Sequence, residues 1–131
     1  RHSFFQANNC IVISTTIKLG TGDSLVIKSK MDELNKKRRE KQPLEMPSAG
    51  SVFKRPQNGY ASKLIEDCGL KGYTLGGAQV SEKHSGFIVN RGGATCADVL
   101  KLIEYVQKVV EDKTGIFLEP EVKLVSLKNK G

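Results

Sequence analysis

The sequence lacks tryptophan and long apolar runs, and it has only three cysteines and two histidines. No apolar stretch approaches the roughly 20 residues that a membrane-spanning helix requires, since the run from Ile11 to Ile13 is soon interrupted by Ser14. Cys10, Cys68 and Cys96 are widely spaced and form no C-x-x-C pair. These absences argue against a membrane-embedded role and predict no structural zinc or other metal site. The three cysteines are expected to be reduced thiols of a cytosolic protein.

The sequence also lacks the common nucleotide-binding glycine motifs. It contains no G-x-G-x-x-G after a predicted strand and no G-x-x-x-x-G-K-[ST]. The Gly76-Gly77 pair is more typical of an ordinary turn than of a phosphate-binding loop. No serine has histidine and aspartate partners in a recognised triad arrangement. Any catalytic chemistry would therefore have to come from another arrangement of side chains.

Charge is plentiful and mostly of one sign. The chain of 131 residues, long enough for one domain with a hydrophobic core, has a formal net charge of +7. Such a charge suits a nucleic-acid-binding protein, and it equally suits an enzyme whose substrate carries a diphosphate and a carboxylate. The densest basic run, residues 36–41, contains no aromatic residue on which a base could stack. A basic nucleic-acid-binding module therefore stays open as the alternative function.

Hydrophobic periodicity divides the chain into an extended part, a helix and a second group of elements. Residues 9–19 alternate apolar and polar side chains, which predicts a strand with one buried face. Residues 24–42 are typical of a helix that must end before Pro43. Residues 43–59 hold three of the four prolines and are predicted to form a loop between two domains.

The second group mixes helices and strands. A predicted helix begins at Ala61 and ends at Gly69, and a longer one begins at Thr95, where Asp98 completes a capping box, and ends at Gly115. The absence of a regular βαβ repeat favours the α+β class, with a small mixed sheet packed with helices. Strands are predicted at 86–90, 116–118 and 122–127.

One stretch stands out chemically, from Ser48 to Pro56, because small residues flank hydroxyls and two cations follow. Its core, Ser48-Ala49-Gly50-Ser51-Val52-Phe53-Lys54, resembles the signature of the enolpyruvyl-UDP-N-acetylglucosamine reductases. The resemblance continues, in order, through Lys63–Glu66, Gly69–Gly72, Gly76–His84, Phe87–Asn90, Ala94-Thr95, Asp98-Val99 and Leu118–Val122, and upstream through Arg1–Phe5. It covers nearly the whole chain, which is similar to the shorter, second subtype of the family.

The resemblance implies a fold and a division of the chain. Members have a flavin-binding domain in two lobes and then a smaller substrate-binding domain. Residues 1–42 would form the last strand and helix of the flavin-binding domain, and residues 43–131 the substrate-binding domain. The main flavin-binding lobe is expected outside this sequence, so the isolated chain is expected to be inactive. The whole enzyme is expected to be a cytoplasmic monomer without nucleic-acid or membrane partners.

The resemblance also implies the chemistry. NADPH would reduce FAD, and the substrate would be UDP-N-acetylglucosamine enolpyruvate. Ser51 matches the proton donor of the family, and Glu121 its catalytic glutamate. The other site residues implied in this way are Lys41, Lys54, Arg55, Lys71, His84 and Asn90 for the substrate, and Arg1 and Gly50 for the cofactor.

Overall fold

A computed structural model describes residues 4–8 and 10–125, without the side chains of Gln6 and Ala7. Arg1, one of the two residues expected to bind the cofactor, lies outside the described residues. The chain divides into two compact units, residues 1–34 and 35–131. Among the described residues, no helix is both long and apolar enough to cross a membrane.

The first unit contains helix α1 (Phe4–Ala7) and most of helix α2 (Ser24–Lys41). The Asp23 carboxylate caps α2 by accepting the backbone N–H groups of Leu25 and Val26 at 2.9 and 3.0 Å. The predicted helix at 24–42 is thus confirmed to within one residue.

The strand predicted at 9–19 is wrong for residues 10–19, which have no regular secondary structure. Ile13 is 96% exposed and Leu19 is 83% exposed, so the alternating face is not buried. A strand needs a neighbour for its N–H and C=O groups, and the described residues offer this stretch none. Residue 9 lies outside the described residues.

The second unit is built on a four-stranded sheet in the order β1-β4-β3-β2, and each neighbouring pair is antiparallel. The strands are β1 (Ser48–Ser51), β2 (Thr74–Leu75), β3 (Ala78–Val80) and β4 (Phe87–Asn90), with helix α3 (Ala61–Asp67) before β2 and helix α4 (Cys96–Thr114) after β4. The α+β prediction is confirmed, but the sheet is antiparallel throughout and not mixed as predicted. The strand predicted at 86–90 is confirmed as β4.

The core lies between one face of this sheet and α4. Val80 and Ile88 point to that face, and both belong to the same buried cluster as the apolar stripe of α4. The stripe consists of Leu102, Ile103, Val106 and Val110, each at most 5% exposed. The opposite face carries Gln79 and Val89, which are buried but lie outside that cluster. One face of the sheet therefore packs against the core, and residues of the other face are buried by contacts outside the core cluster.

Both ends of α4 follow the predicted capping. The Thr95 hydroxyl accepts the N–H of Asp98 at 3.1 Å, and the Asp98 carboxylate accepts the N–H of Thr95 at 2.9 Å. The hydrogen bond that the Asp98 carboxylate accepts from the Thr95 backbone is the largest cause that lowers the pKa of Asp98 below that of an ordinary aspartate, and a hydrogen bond with the Thr95 side chain lowers it further. Gly115 closes the helix in the left-handed conformation, with φ 70°. Gly69 does the same after α3, with φ 76°.

The two strands predicted after α4 are wrong. Residues 116–125 form a single isolated bridge, between Phe53 and Pro120. Pro120 has no N–H group, and only two backbone hydrogen bonds flank the bridge, so the ladder does not continue. Residues 126 and 127 lie outside the described residues.

Candidate active site

The position of Ser51 depends on an irregularity in β1. Ser48 lies opposite Val89 and Ser51 lies opposite Phe87, so three steps along β1 match two steps along β4. The extra residue makes a β-bulge, in which Gly50 adopts φ 86°. Alternate residues of β4 share a face, so Ser48 and Ser51 both lie on the sheet face opposite the core. The bulge therefore turns the Ser51 side chain away from α4, and this residue is exposed.

The structure brings the two predicted catalytic residues onto neighbouring segments. The N–H of Glu121 donates to the C=O of Val52 at 2.7 Å, and the N–H of Lys54 donates to the C=O of Glu119 at 2.8 Å. On its other side, Val52 donates its N–H to the C=O of Gly86 at 2.9 Å. The segment that begins at Ser51 thus lies between β4 and the Glu121 segment. Glu121 is opposite Val52, the residue directly after Ser51.

Two of the predicted substrate-binding cations follow Ser51 and already have partners. The Lys54 ammonium forms an ion pair with the Glu119 carboxylate, and about half or more of each side chain is exposed. The Arg55 guanidinium lies 4.1 Å from the ring centroid of Tyr60, and its Nε donates to the C=O of Gly59 at 3.2 Å. Both cations border the Ser51 segment and keep donors for a further anionic group.

His84 lies in the turn that leads into β4. Its Nδ1 accepts the N–H of Gly86 at 3.1 Å, so the neutral ring carries its proton on Nε2 and is a donor there. The ring packs edge to face against Phe87, with centroids 5.0 Å apart. Because Phe87 is the strand partner of Ser51, His84 belongs to the same neighbourhood as Ser51.

The remaining predicted residues lie elsewhere. Lys41 is the exposed last residue of α2. Lys71 pairs with Glu66, its Nζ 3.2 Å from a carboxylate oxygen. The Asn90 side-chain oxygen accepts the N–H groups of Gly92 and Ala94 at 2.8 and 3.1 Å, so this residue braces the loop after β4.

A polar cleft of about 340 Å³ lies over Gln79 and Val89. Across it, the Lys83 ammonium bonds both carboxylate oxygens of Glu45, at 3.3 and 3.2 Å. A backbone N–H and then Lys83 lower the pKa of Glu45. The cleft is lined by Pro43, Glu45, Met46, Gln79, Ser81, Glu82, Lys83, Val89 and Arg91. Neither Ser51 nor Glu121 is among these lining residues.

Sequence reasoning missed two contacts of the site. Phe87 was predicted only as part of a strand, and the antiparallel register places it beside Ser51. Glu119 lies in the Leu118–Val122 part of the family resemblance, but its ion pair with Lys54 connects residues 65 positions apart and leaves no local pattern.

The fold and the site together define an α+β domain that carries a serine hydroxyl and a glutamate on adjoining extended segments. The family model for the C-terminal domain of UDP-N-acetylenolpyruvoylglucosamine reductase matches residues 42–125. The chain therefore belongs to the UDP-N-acetylenolpyruvoylglucosamine reductase family.

Individual relatives agree with this assignment. A reductase of that name from Caldanaerobacter subterraneus subsp. tengcongensis is 60% identical over 128 residues, which is 98% of this chain and 42% of that protein. The one from Clostridium botulinum strain 657 is 54% identical over 129 residues, again 98% of this chain and 42% of that protein. The chain spans less than half the length of these relatives.

A solved structure supports the fold. The crystal structure of UDP-N-acetylenolpyruvylglucosamine reductase from Thermus caldophilus superposes with a TM-score of 0.65 at 35% identity. The match covers 81% of this chain and 37% of that protein.

Proposed function

We propose that this sequence supplies the substrate-binding domain of a longer cytoplasmic enzyme that reduces UDP-N-acetylglucosamine enolpyruvate to UDP-N-acetylmuramate. In this proposal, residues 43–131 form that domain and residues 1–42 end the flavin-binding domain. The observation that carries the proposal is the pairing of the Ser51 and Glu121 segments through the hydrogen bond from Glu121 N–H to Val52 C=O.

The reaction needs groups that manage charge and a proton. When bound, FAD supplies the hydride that NADPH provides. Hydride addition to the terminal alkene carbon leaves negative charge on the neighbouring carbon and the carboxylate, and that neighbouring carbon must gain a proton. We assign the proton donation to the hydroxyl of Ser51. A serine hydroxyl is a weak acid, so Glu121 has the role of stabilising the intermediate and supporting the proton transfer.

Cations and donors near Ser51 suit the rest of the substrate. Lys54 and Arg55 follow it in the chain and suit a carboxylate or diphosphate. The Nε2–H of His84 is a donor on the Phe87 side of Ser51. Lys41 and Lys71 are proposed to bind more distant parts of the UDP-sugar. Asn90 keeps its side-chain NH₂ group for such a contact while its oxygen braces the loop.

Among the described residues, Gly50 is the one proposed to lie against a flavin. Gly50 has φ 86°, and a Cβ built on it would meet no atom within 4 Å, so a planar ring could approach its backbone closely. The main FAD contacts are assigned to the part of the longer protein that this sequence does not contain. The purified 131-residue chain is therefore expected to carry no flavin absorbance.

The test is NADPH oxidation by the full-length protein that carries this sequence, with and without the enolpyruvyl UDP-sugar. Ser51→Ala should slow substrate-dependent oxidation by roughly 100- to 10,000-fold, the usual contribution of a positioned proton donor. Ser29→Ala, the same change on the exposed surface of α2, is the matched control and should keep the rate. A Ser51→Ala enzyme with the rate of the control would contradict the assignment.

The same preparation tests the alternative of a nucleic-acid-binding module. That function predicts oligonucleotide binding that weakens steeply with salt and is indifferent to the UDP-sugar. We expect instead that the UDP-sugar changes the rate of NADPH oxidation and that an oligonucleotide does not.

A further inference from the structure

The segment that carries Glu121 has little secondary structure of its own. Residues 116–119 and 121–125 belong to no helix or strand, and Pro120 has only its isolated bridge to Phe53. Toward the sheet, the segment is held by the backbone hydrogen bonds of Glu119 and Glu121. On its other side, the segment packs Leu118 and Val122 against the core cluster. The position of Glu121 therefore depends also on what holds the chain just before it.

On the α4 side, a side chain of that helix forms a hydrogen bond with the segment. The Nε2 of Gln107 donates to the C=O of Leu118 at 2.9 Å. Leu118 is 1% exposed, so its carbonyl is screened from water and needs a donor from the protein. Gln107 is half-buried beside Val106, a residue of the core stripe. A single amide thus satisfies a buried acceptor three residues before Glu121.

Helix α4, which carries Gln107, is held in place at both ends and along its buried face. Helix α4 has a capping box at Thr95 and a left-handed Gly115 at its end, and its apolar stripe is buried. Apolar packing of Leu118 by itself sets the depth of the side chain, but it does not set the direction of the carbonyl. A directional hydrogen bond does, and it therefore limits how the next residues approach Val52.

We propose that Gln107 is a positioning residue that holds the Glu121 segment against Val52, the residue directly after Ser51, through the carbonyl of Leu118. The proposal rests on the assignment of Glu121 in the proposed function. Gln107 touches neither the reacting atoms nor Glu121 itself. Its loss should affect only the step in which Glu121 acts, which is reduction of the alkene, and should leave the reduction of flavin by NADPH intact.

The experiment separates these two half-reactions in the full-length flavoenzyme by stopped-flow flavin absorbance. Gln107→Met keeps the length of the side chain and removes the donor. We expect the alkene half-reaction to slow by roughly 10- to 100-fold, as for small misplacements of catalytic groups, with KM little changed. Flavin reduction by NADPH should stay within about twofold of wild type, as in Glu121→Gln, on the principle that only interactions used in a step affect its rate.

A second variant adds a readout that a general loss of stability would not produce. In Gln107→Glu the introduced carboxylate faces the Leu118 carbonyl and repels it, whereas the protonated carboxyl donates to it. The alkene half-reaction of this variant, relative to wild type at each pH, should recover as pH falls. Glu111→Gln, the reverse exchange at an exposed position of α4, is the matched control and should follow the wild-type profile.

The outcomes are distinct. Unchanged alkene reduction in Gln107→Met, or equal slowing of both half-reactions, would overturn the proposal for Gln107 while leaving Glu121 in its role. Normal alkene reduction in Glu121→Gln would overturn the proposed role of Glu121, and the proposal for Gln107 with it. Slowing of the alkene step alone in both Gln107→Met and Glu121→Gln is the result we expect.

Discussion

Replacing Gly77 with alanine should destabilise the second compact unit more than any comparable glycine substitution in the neighbouring loop. A Cβ on Gly77 would lie 2.4 Å from the backbone nitrogen of Ala94 and 2.8 Å from the carbonyl oxygen of Gly92. These are backbone atoms, so no side-chain rotation relieves the overlap. The loop from Gly92 to Ala94 must therefore move away from the sheet.

That movement disturbs several interactions at once. Forced expansion of a packed contact costs about 1–3 kcal/mol. The side-chain oxygen of Asn90 also holds the loop through two hydrogen bonds. The loop leads directly into the capping box at Thr95, and such a cap contributes about 1 kcal/mol. With partial loss of these, Gly77→Ala should lower the free energy of unfolding by about 3–5 kcal/mol. For a domain of this size, the melting temperature should fall by about 12 °C or more.

Urea unfolding and thermal melting of the purified chain, followed by circular dichroism, would measure the effect. The matched control is Gly93→Ala in the same loop, where φ is 70° but no atom lies within 4 Å of the added Cβ. Its cost is backbone strain alone, about 1–2 kcal/mol. If Gly77→Ala is no less stable than Gly93→Ala, the steric reasoning is refuted.

Three further predictions concern α4 and its neighbour. Thr95→Ala should lower the free energy of unfolding by about 1 kcal/mol and Thr95→Ser by much less, as urea titration would show. Because the pKa of Asp98 is lowered in the folded chain, the carboxylate of Asp98 stabilises the fold above its unfolded pKa of about 3.9, and this stabilisation is lost as pH falls through the folded pKa. Melting curves of Asp98→Asn, recorded as the pH is lowered, should lack this acid-dependent loss. A hydrogen bond with Tyr105 raises the pKa of Tyr73, and the two rings stack with centroids 4.5 Å apart. Tyr105→Phe should therefore move the pKa of Tyr73 back toward 10. An unchanged tyrosinate absorbance titration would count against this.

Local chemistry was enough to predict helices α2, α3 and α4 from the sequence, although the short helix α1 was not predicted. The threonine and aspartate of the capping box, the apolar stripe of α4 and the glycines after α3 and α4 act within a few residues of one another. Their pattern is therefore visible in the chain itself. The resemblance to the reductase family was readable for the same reason, since Ser48 to Lys54 form one continuous motif.

The strands were harder to predict, because a strand is stable only with a partner. Residues 10–19 have the alternation of a strand but no neighbour among the described residues, and residues 116–118 bring Leu118 against the core without a ladder. The β-bulge at Gly50 was equally invisible, since it exists only as a mismatch between β1 and β4.

The sequence by itself predicted the family, helices α2, α3 and α4, and a set of candidate site residues. Only the tertiary structure decided which of those residues meet. It placed Glu121 against the Ser51 segment, paired Lys54 with Glu119 and connected Gln107 to Leu118. Each of these contacts joins distant positions through antiparallel pairing or helix packing, and such contacts leave no periodic trace in the chain because their spacing depends on the whole fold.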